Sequence, residues 1–269
     1  MSRFSLNQAT IKHATVPEAI AAAVGAGIPG IGLWREPVAE FGLEASAAAV
    51  RDAGLRVSSL CRAGFFTLPD WRDINSRAIE EAAALGAPTL VLVAGGLPEG
   101  SRDLVGARER VRDAIGELAP LALAAGVTLS IEALHPMYVT DRAVVSTLGQ
   151  ALDIAEQFDA RAVGVVVDTF HVFWDPAVLQ QIARAGERIA SYQVCDWTMP
   201  IAADPLLSRG YPGDGLIDFE SLTRAVAATG YTGDIECEIF NQEIWDSEWA
   251  GVAARSKESF DLLVAPHLS

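Results

Sequence analysis

VTLSIE (127–132), AVGVVVD (162–168), IASYQVCD (189–196) and DIECEIF (234–240) follow one plan. Each is a short, mostly apolar run that carries an oxygen-bearing side chain at or near its downstream end: Glu132, Asp168, Gln193 and Glu238. Continuous apolar runs suit strands of a parallel sheet, whose two faces are both covered and leave little for water. Segments of the same kind recur upstream at 4–8, 30–34, 55–61 and 88–94. Helix-like stretches alternate with them at 17–26, 42–53, 75–85, 103–125, 144–157, 176–186 and 218–229, and a last one covers 247–263. Eight such β/α units predict an α/β fold, a single (β/α)8 TIM barrel, with residues 1–269 as one domain. An open doubly wound sheet competes, but it calls for GxGxxG after its first strand. None stands there, and Gly95-Gly96 is an isolated turn signal.

Boundary chemistry agrees. Thr15-Val16-Pro17-Glu18 reads as a capping box with proline in the first turn, and Asp175-Pro176 as an N-cap followed by proline at the first helical position. Gly27, Gly54, Gly86, Gly126 and Gly230 read as helix ends. The segment 198–215, with Pro200, Pro205 and Pro212, is long for a connection and reads as a lid or binding loop at the active face.

The 269 residues are 51% hydrophobic, enough for a large core, and carry a net charge of −15. With a pI near 4.6, such a surface repels nucleic acid and anionic lipid. No run reaches the roughly eighteen apolar residues of a membrane span. The first residues lack a signal-peptide core, and Cys61, Cys195 and Cys237 sit in or beside apolar runs as an odd, reduced set. The expectation is a cytoplasmic protein with no nucleic-acid or membrane partner.

Residues two apart on a strand share a face, so Ser130 points with Glu132, Val166 with Asp168, Ser191 with Gln193, and Glu236 with Glu238. If the terminal member of each pair faces the axis, four donors converge at the C-terminal mouth, where barrel enzymes place their chemistry. A lone carboxylate at a strand end is as readily a helix cap or a solvated loop residue. Four together repel one another unless a cation or protons neutralise them, which predicts a site for a hard divalent cation. His171, three residues beyond Asp168, reads as a substrate-binding or proton-shuttling imidazole. Trp34, Trp174, Trp197 and Trp245 fall just past strand ends and read as an aromatic wall for a sugar, with loop packing as the alternative. Arg62, in CRAGFF (61–66), is either a surface residue or an inward one that pairs with a carboxylate or phosphate; Arg209 is a second candidate for that job. GYPGDG (210–215) reads as a turn into the Asp218-capped helix rather than a phosphate cradle. Glu236 lies deeper and needs a partner, a lysine, an arginine or a water, with Ser130 and Ser191 completing a polar layer.

IEALHP (131–136), VVVDTFH (165–171), YQVCDW (192–197) with GYPGDGLIDF (210–219), and GYTGDIECEIF (230–240) resemble the sugar phosphate isomerase/epimerase superfamily, the xylose-isomerase-like TIM barrels, over nearly the whole chain. The resemblance implies a divalent metal held by Glu132, Asp168 and Glu238, substrate contact by His171, and Glu132 and Glu238 as the acid/base pair. The third ligand of that pattern is usually histidine in HxxD; here Gln193 opens QVCD (193–196), similar to the hydroxypyruvate-isomerase branch. An all-oxygen set favours Mn2+ or Mg2+ over Zn2+. The expected function is a metal-dependent isomerase or epimerase of a ketose or related hydroxy-carbonyl compound, working through an enediolate. A small sugar is then the ligand, with a homo-oligomer by analogy. The rivals are a lyase or dehydratase on the same scaffold and a non-catalytic sugar-binding subunit. A DNA-repair nuclease of this fold needs a basic groove and many histidines, and the chain has four.

Overall fold

Burial is complete along the central runs: every residue of Thr89–Val93 and Val163–Asp168 is buried, so each can serve as a strand covered on both faces. The structure, a computed structural model, describes residues 2–268. Its strands are β1 (Phe4–Asn7), β2 (Gly30–Trp34), β3 (Arg56–Gly64), β4 (Thr89–Val93), β5 (Thr128–Glu132), β6 (Val163–Asp168), β7 (Ile189–Val194), β8 (Asp196–Trp197), β9 (Arg209–Gly210) and β10 (Ile235–Cys237). Eight of them close a parallel barrel in the order β1-β10-β7-β6-β5-β4-β3-β2, while β8 and β9 pair antiparallel as a separate ribbon. The architecture is a (β/α)8 TIM barrel, as the alternation predicts.

Helices fill the intervals, with boundaries set by local chemistry. The Thr15 capping box is present, and Asp218 caps the helix Phe219–Ala228 by accepting from the Ser221 N–H. Three stretches differ from expectation at their starts. The helix expected at 144–157 begins only at Leu148, where the Thr147 hydroxyl accepts from the Gln150 N–H; Val144 instead donates to Gly95 O. The helix expected at 176–186 begins at Val178, because Asp175 accepts from the Ala177 N–H and closes a turn around Pro176. The helix expected at 75–85 starts earlier, at Trp71. Short helices at Arg35–Phe41, Thr169–Val172 and Gln242–Trp245 are additions; segments this short carry no readable periodicity. Strand β3 runs on to Gly64, so Arg62 stands on a strand rather than in a loop.

Beneath the mouth the barrel interior is polar. Glu236 accepts a hydrogen bond from Asn7 Nδ2 (2.8 Å), and Ser58 pairs with Ser5 beside it (2.6 Å). Its side-chain partner is thus an amide, where the sequence reading named a lysine, an arginine or a water. Gly32 makes this possible: a Cβ there would stand 2.7 Å from Glu236 Oε2 and 3.0 Å from Asn7 Nδ2. No helix among the described residues is long and apolar enough to cross a membrane.

Candidate active site

Strand register sets Asp168 on β6 opposite Gln193 on β7. Glu132, which ends β5, is opposite Val166, and Glu238 lies just past β10, two residues beyond the Glu236 that faces Gln193, with its N–H donated to Val194 O. All four are buried, Glu132 the least at 6% exposed. Glu132, Asp168 and His171 each present a ligand atom within 4.8 Å of the others. Glu238 joins them through one nitrogen: Arg209 Nη1 donates to Asp168 Oδ2 (2.9 Å) and to Glu238 Oε2 (3.1 Å). Gln193 is buried beside them with neither amide atom hydrogen-bonded.

Crowding of acids in an apolar barrel governs their protonation. Burial, then the charges of Glu238 and Asp168, hold the Glu132 carboxyl well above the usual range. Burial pushes Glu238 up to about 8; Arg209 opposes the shift and Asp168 adds to it. Burial also pushes His171 well below the imidazole range, with Arg209 adding to the effect, so the ring is neutral at pH 7. Its Nδ1 accepts the His135 N–H (3.1 Å), which leaves the proton on Nε2. Arg209 Nη2 stands 2.9 Å from that Nε2. A guanidinium only donates, so in this tautomer the Arg209–His171 contact meets donor to donor and is not a hydrogen bond.

The donor chemistry fits a hard cation. Three carboxylates need neutralising, Glu132 makes no hydrogen bond among the described residues, and the orphaned Gln193 amide offers a carbonyl oxygen.

Arg209 was a secondary candidate from sequence, yet it is the most deeply placed cation of the site, 1% exposed and lying over Phe170 and Phe240. The β8–β9 ribbon carries it there. Asp196 knits the following turn: Oδ1 accepts from the Trp197 and Ile217 N–H groups, Oδ2 from those of Gly213 and Gly215. At Gly215 a Cβ would stand 2.1 Å from Trp197 O, so only glycine lets the turn close on the ribbon. The glycine-rich stretch is a turn, and its N–H groups are already engaged. Asp196→Ala should lower the unfolding free energy by about 3 kcal/mol in urea titrations, since four N–H donors lose their acceptor. A loss below about 1 kcal/mol would show that the turn holds itself.

A cavity of about 340 Å³ opens above these residues, lined by Glu132, His171, Arg209, Glu238, Arg62 and Trp34 together with Phe65, Tyr138, Arg142 and Phe240. Trp34 is fixed by its Nε1–H donated to Asn7 Oδ1 (2.8 Å), the same asparagine that holds Glu236. The other tryptophans do not form the expected wall. Trp174 donates to His171 O, and Trp197 stacks on Phe170 (4.6 Å between centroids); both lie outside the cavity lining, so loop packing describes them. Trp245 donates to Ala9 O and borders a neighbouring groove. Tyr138 and Arg142 were not foreseen; they come from an irregular segment after β5 that has no periodic signal.

The sequence profile of the xylose isomerase-like TIM barrel family matches residues 20–263. The chain belongs to this family. Its barrel superposes on the crystal structure of protein SMc04130 from Sinorhizobium meliloti 1021 with a TM-score of 0.93 at 45% identity, covering 97% of this chain and 98% of that one. Among curated proteins it is 34% identical over 105 residues to a 3-dehydroshikimate dehydratase of Pseudomonas putida, which covers 36% of this chain and 16% of that protein. It is 24% identical to a ketose 3-epimerase of Arthrobacter globiformis over 80% of this chain and 74% of the relative. Inosose isomerases and an L-ribulose 3-epimerase stand beside these. The chain spans from about a sixth to about half of the length of the first four curated relatives. The curated relatives thus include isomerases, epimerases and dehydratases.

Proposed function

We propose that this family member is a divalent-metal-dependent isomerase or epimerase of a ketose or related hydroxy-carbonyl compound, passing through an enediolate. One observation carries the reading: Asp168 and Glu238 are close enough to share a single Arg209 nitrogen, with Glu132 and Gln193 beside them at the mouth of the barrel. Glu132, Asp168, Gln193 and Glu238 would hold the ion, and their all-oxygen donor set favours Mn2+ or Mg2+. When bound, the ion supplies Lewis-acid polarisation of the carbonyl and neighbouring hydroxyl, which acidifies the C–H between them.

Glu132 and Glu238 then face the substrate as acid/base partners, one removing the proton and the other returning it. Return to the opposite face inverts the centre; return to the neighbouring carbon moves the carbonyl. Arg209, with His171 beside it, donates to the oxygen on which charge develops. Trp34 offers an apolar face to the sugar, and Arg62 lines the far wall.

The dehydratase relative supports a second reading, in which the same proton removal is followed by loss of a β-hydroxyl. The two separate in D2O. With MnCl2 added, a panel of ketoses, D-fructose and D-psicose included, should gain one deuterium beside the carbonyl without any enone absorbance, and a chelator should stop the exchange. Formation of an aromatic catechol from 3-dehydroshikimate, with no exchange into any ketose, would transfer the assignment to the dehydratase.

A further inference from the structure

The cavity contains a cation whose donors have no partner among the described residues. Arg62, near the end of β3, is half-buried and lines both the 340 Å³ cavity and a groove of about 770 Å³ that opens beside it. The other half-buried arginines among the described residues, Arg142 aside, each donate a hydrogen bond to a carboxylate or a backbone carbonyl. Arg62 makes neither a hydrogen bond nor an ion pair; its guanidinium carbon lies 5.0 Å from the Trp34 ring centre and 5.3 Å from that of Phe65.

That placement is built rather than incidental. Trp34 is pinned by Asn7, and Phe65 sits at φ +49°, a left-handed backbone that a bulky residue adopts only under constraint, with its N–H donated to Val93 O (2.7 Å). Arg142 lines the same cavity and comes no nearer to a carboxylate than 3.8 Å from Asp141 and 4.0 Å from Asp204. The carboxylates facing Arg62 are Glu132 and Glu238; neither reaches hydrogen-bonding distance, and Arg209 already bonds Glu238. In a chain of net charge −15, a cavity lined by Arg62, Arg142 and Arg209 beside only Glu132, Asp141 and Glu238, with the Arg62 guanidinium unpartnered among the described residues, points to a ligand that brings its own negative charge.

We propose that Arg62, aided by Arg142, is an anion site, and that the substrate carries a carboxylate or phosphate on the part directed away from the acidic cup. A planar guanidinium presents paired donors to either group, so the shared chemistry is a terminal oxyanion. The inference rests on the proposed hydroxy-carbonyl reaction for the rest of the substrate, but binding alone tests it.

Calorimetry on the Mn2+-loaded full chain would compare D-fructose with D-fructose 6-phosphate and 2-keto-D-gluconate, using wild type, Arg62→Gln and Arg62→Lys. At least one anionic probe should bind about 10- to 100-fold more tightly than D-fructose, as charge-assisted pairing supplies. Preference for the sugar phosphate identifies phosphate as the source, and preference for the keto acid identifies carboxylate. In Arg62→Gln the ratio of anionic to neutral affinity should fall toward one, and Arg62→Lys should restore part of it. Equal binding of all three probes to wild type, or an undiminished ratio in Arg62→Gln, overturns the anion site. Charge-selective, Arg62-dependent binding without deuterium exchange would instead remove the isomerase reading and keep the anion site.

Discussion

Glu238→Gln should lower the rate of solvent deuterium exchange by about 10³- to 10⁴-fold, the upper reach of general acid–base catalysis. The amide preserves shape and an oxygen donor, so ion and substrate should still bind, but it cannot accept or return a proton. Loading the ion lowers the pKa of neighbouring carboxylates, which brings Glu238 into range as a base at neutral pH from its metal-free value of about 8. Stability gives an independent readout. A glutamate raised from about 4.3 in the unfolded chain to about 8 in the folded one contributes stability that is full below the first value and lost as pH rises through the second. An amide does not titrate, so the metal-free variant should be at least as stable as wild type at pH 8, by urea unfolding. A near-normal exchange rate in a folded variant would take Glu238 out of the mechanism.

The residues of the acidic cup were legible because strand periodicity is local. A run such as TLSIE both identifies β5 and aims Glu132, and strand register then sets Asp168 level with Gln193. The polar partners were not legible, because they are brought together by contacts distant in sequence. Asn7 meets Glu236 across 229 residues, and it is an amide in a β1 segment that otherwise reads as core. Arg209 lies in a proline-rich segment where a solvated arginine is the ordinary expectation; what buries it is the pairing of β9 with β8 and the Asp196 clamp on the turn beyond. The one faint signal was QVCD (193–196) ahead of RGYPGDG (209–215), an acid followed by a glycine-rich turn that could be tied to it. Trp174 and Trp197 misled for the converse reason: being just past a strand end sets height along the barrel but not which side of the loop a ring turns to.

Arg209→Met should cost the metal-free protein about 3–5 kcal/mol at pH 8, the usual consequence of removing one partner of a buried ion pair. Methionine keeps the apolar stem against Phe170 and Phe240, so the substitution isolates the charge. What remains is an acidic cup with no cation hydrogen-bonded to it: Arg209, ahead of Arg62, is what opposes the burial-driven rise of Glu238 and Glu132. Without it both carboxyls rise further, so the penalty should shrink as pH falls toward 5 and protons neutralise the site in its place. A divalent ion should do the same work at pH 8. Adding MnCl2 should therefore stabilise Arg209→Met more than it stabilises wild type, because the ion binds a cup that no longer contains a competing guanidinium. Urea titrations at pH 5 and pH 8, each with and without Mn2+, give all four comparisons. A penalty independent of pH, or an equal Mn2+ increment in the two proteins, would mean that Arg209 packs the mouth of the barrel without neutralising it.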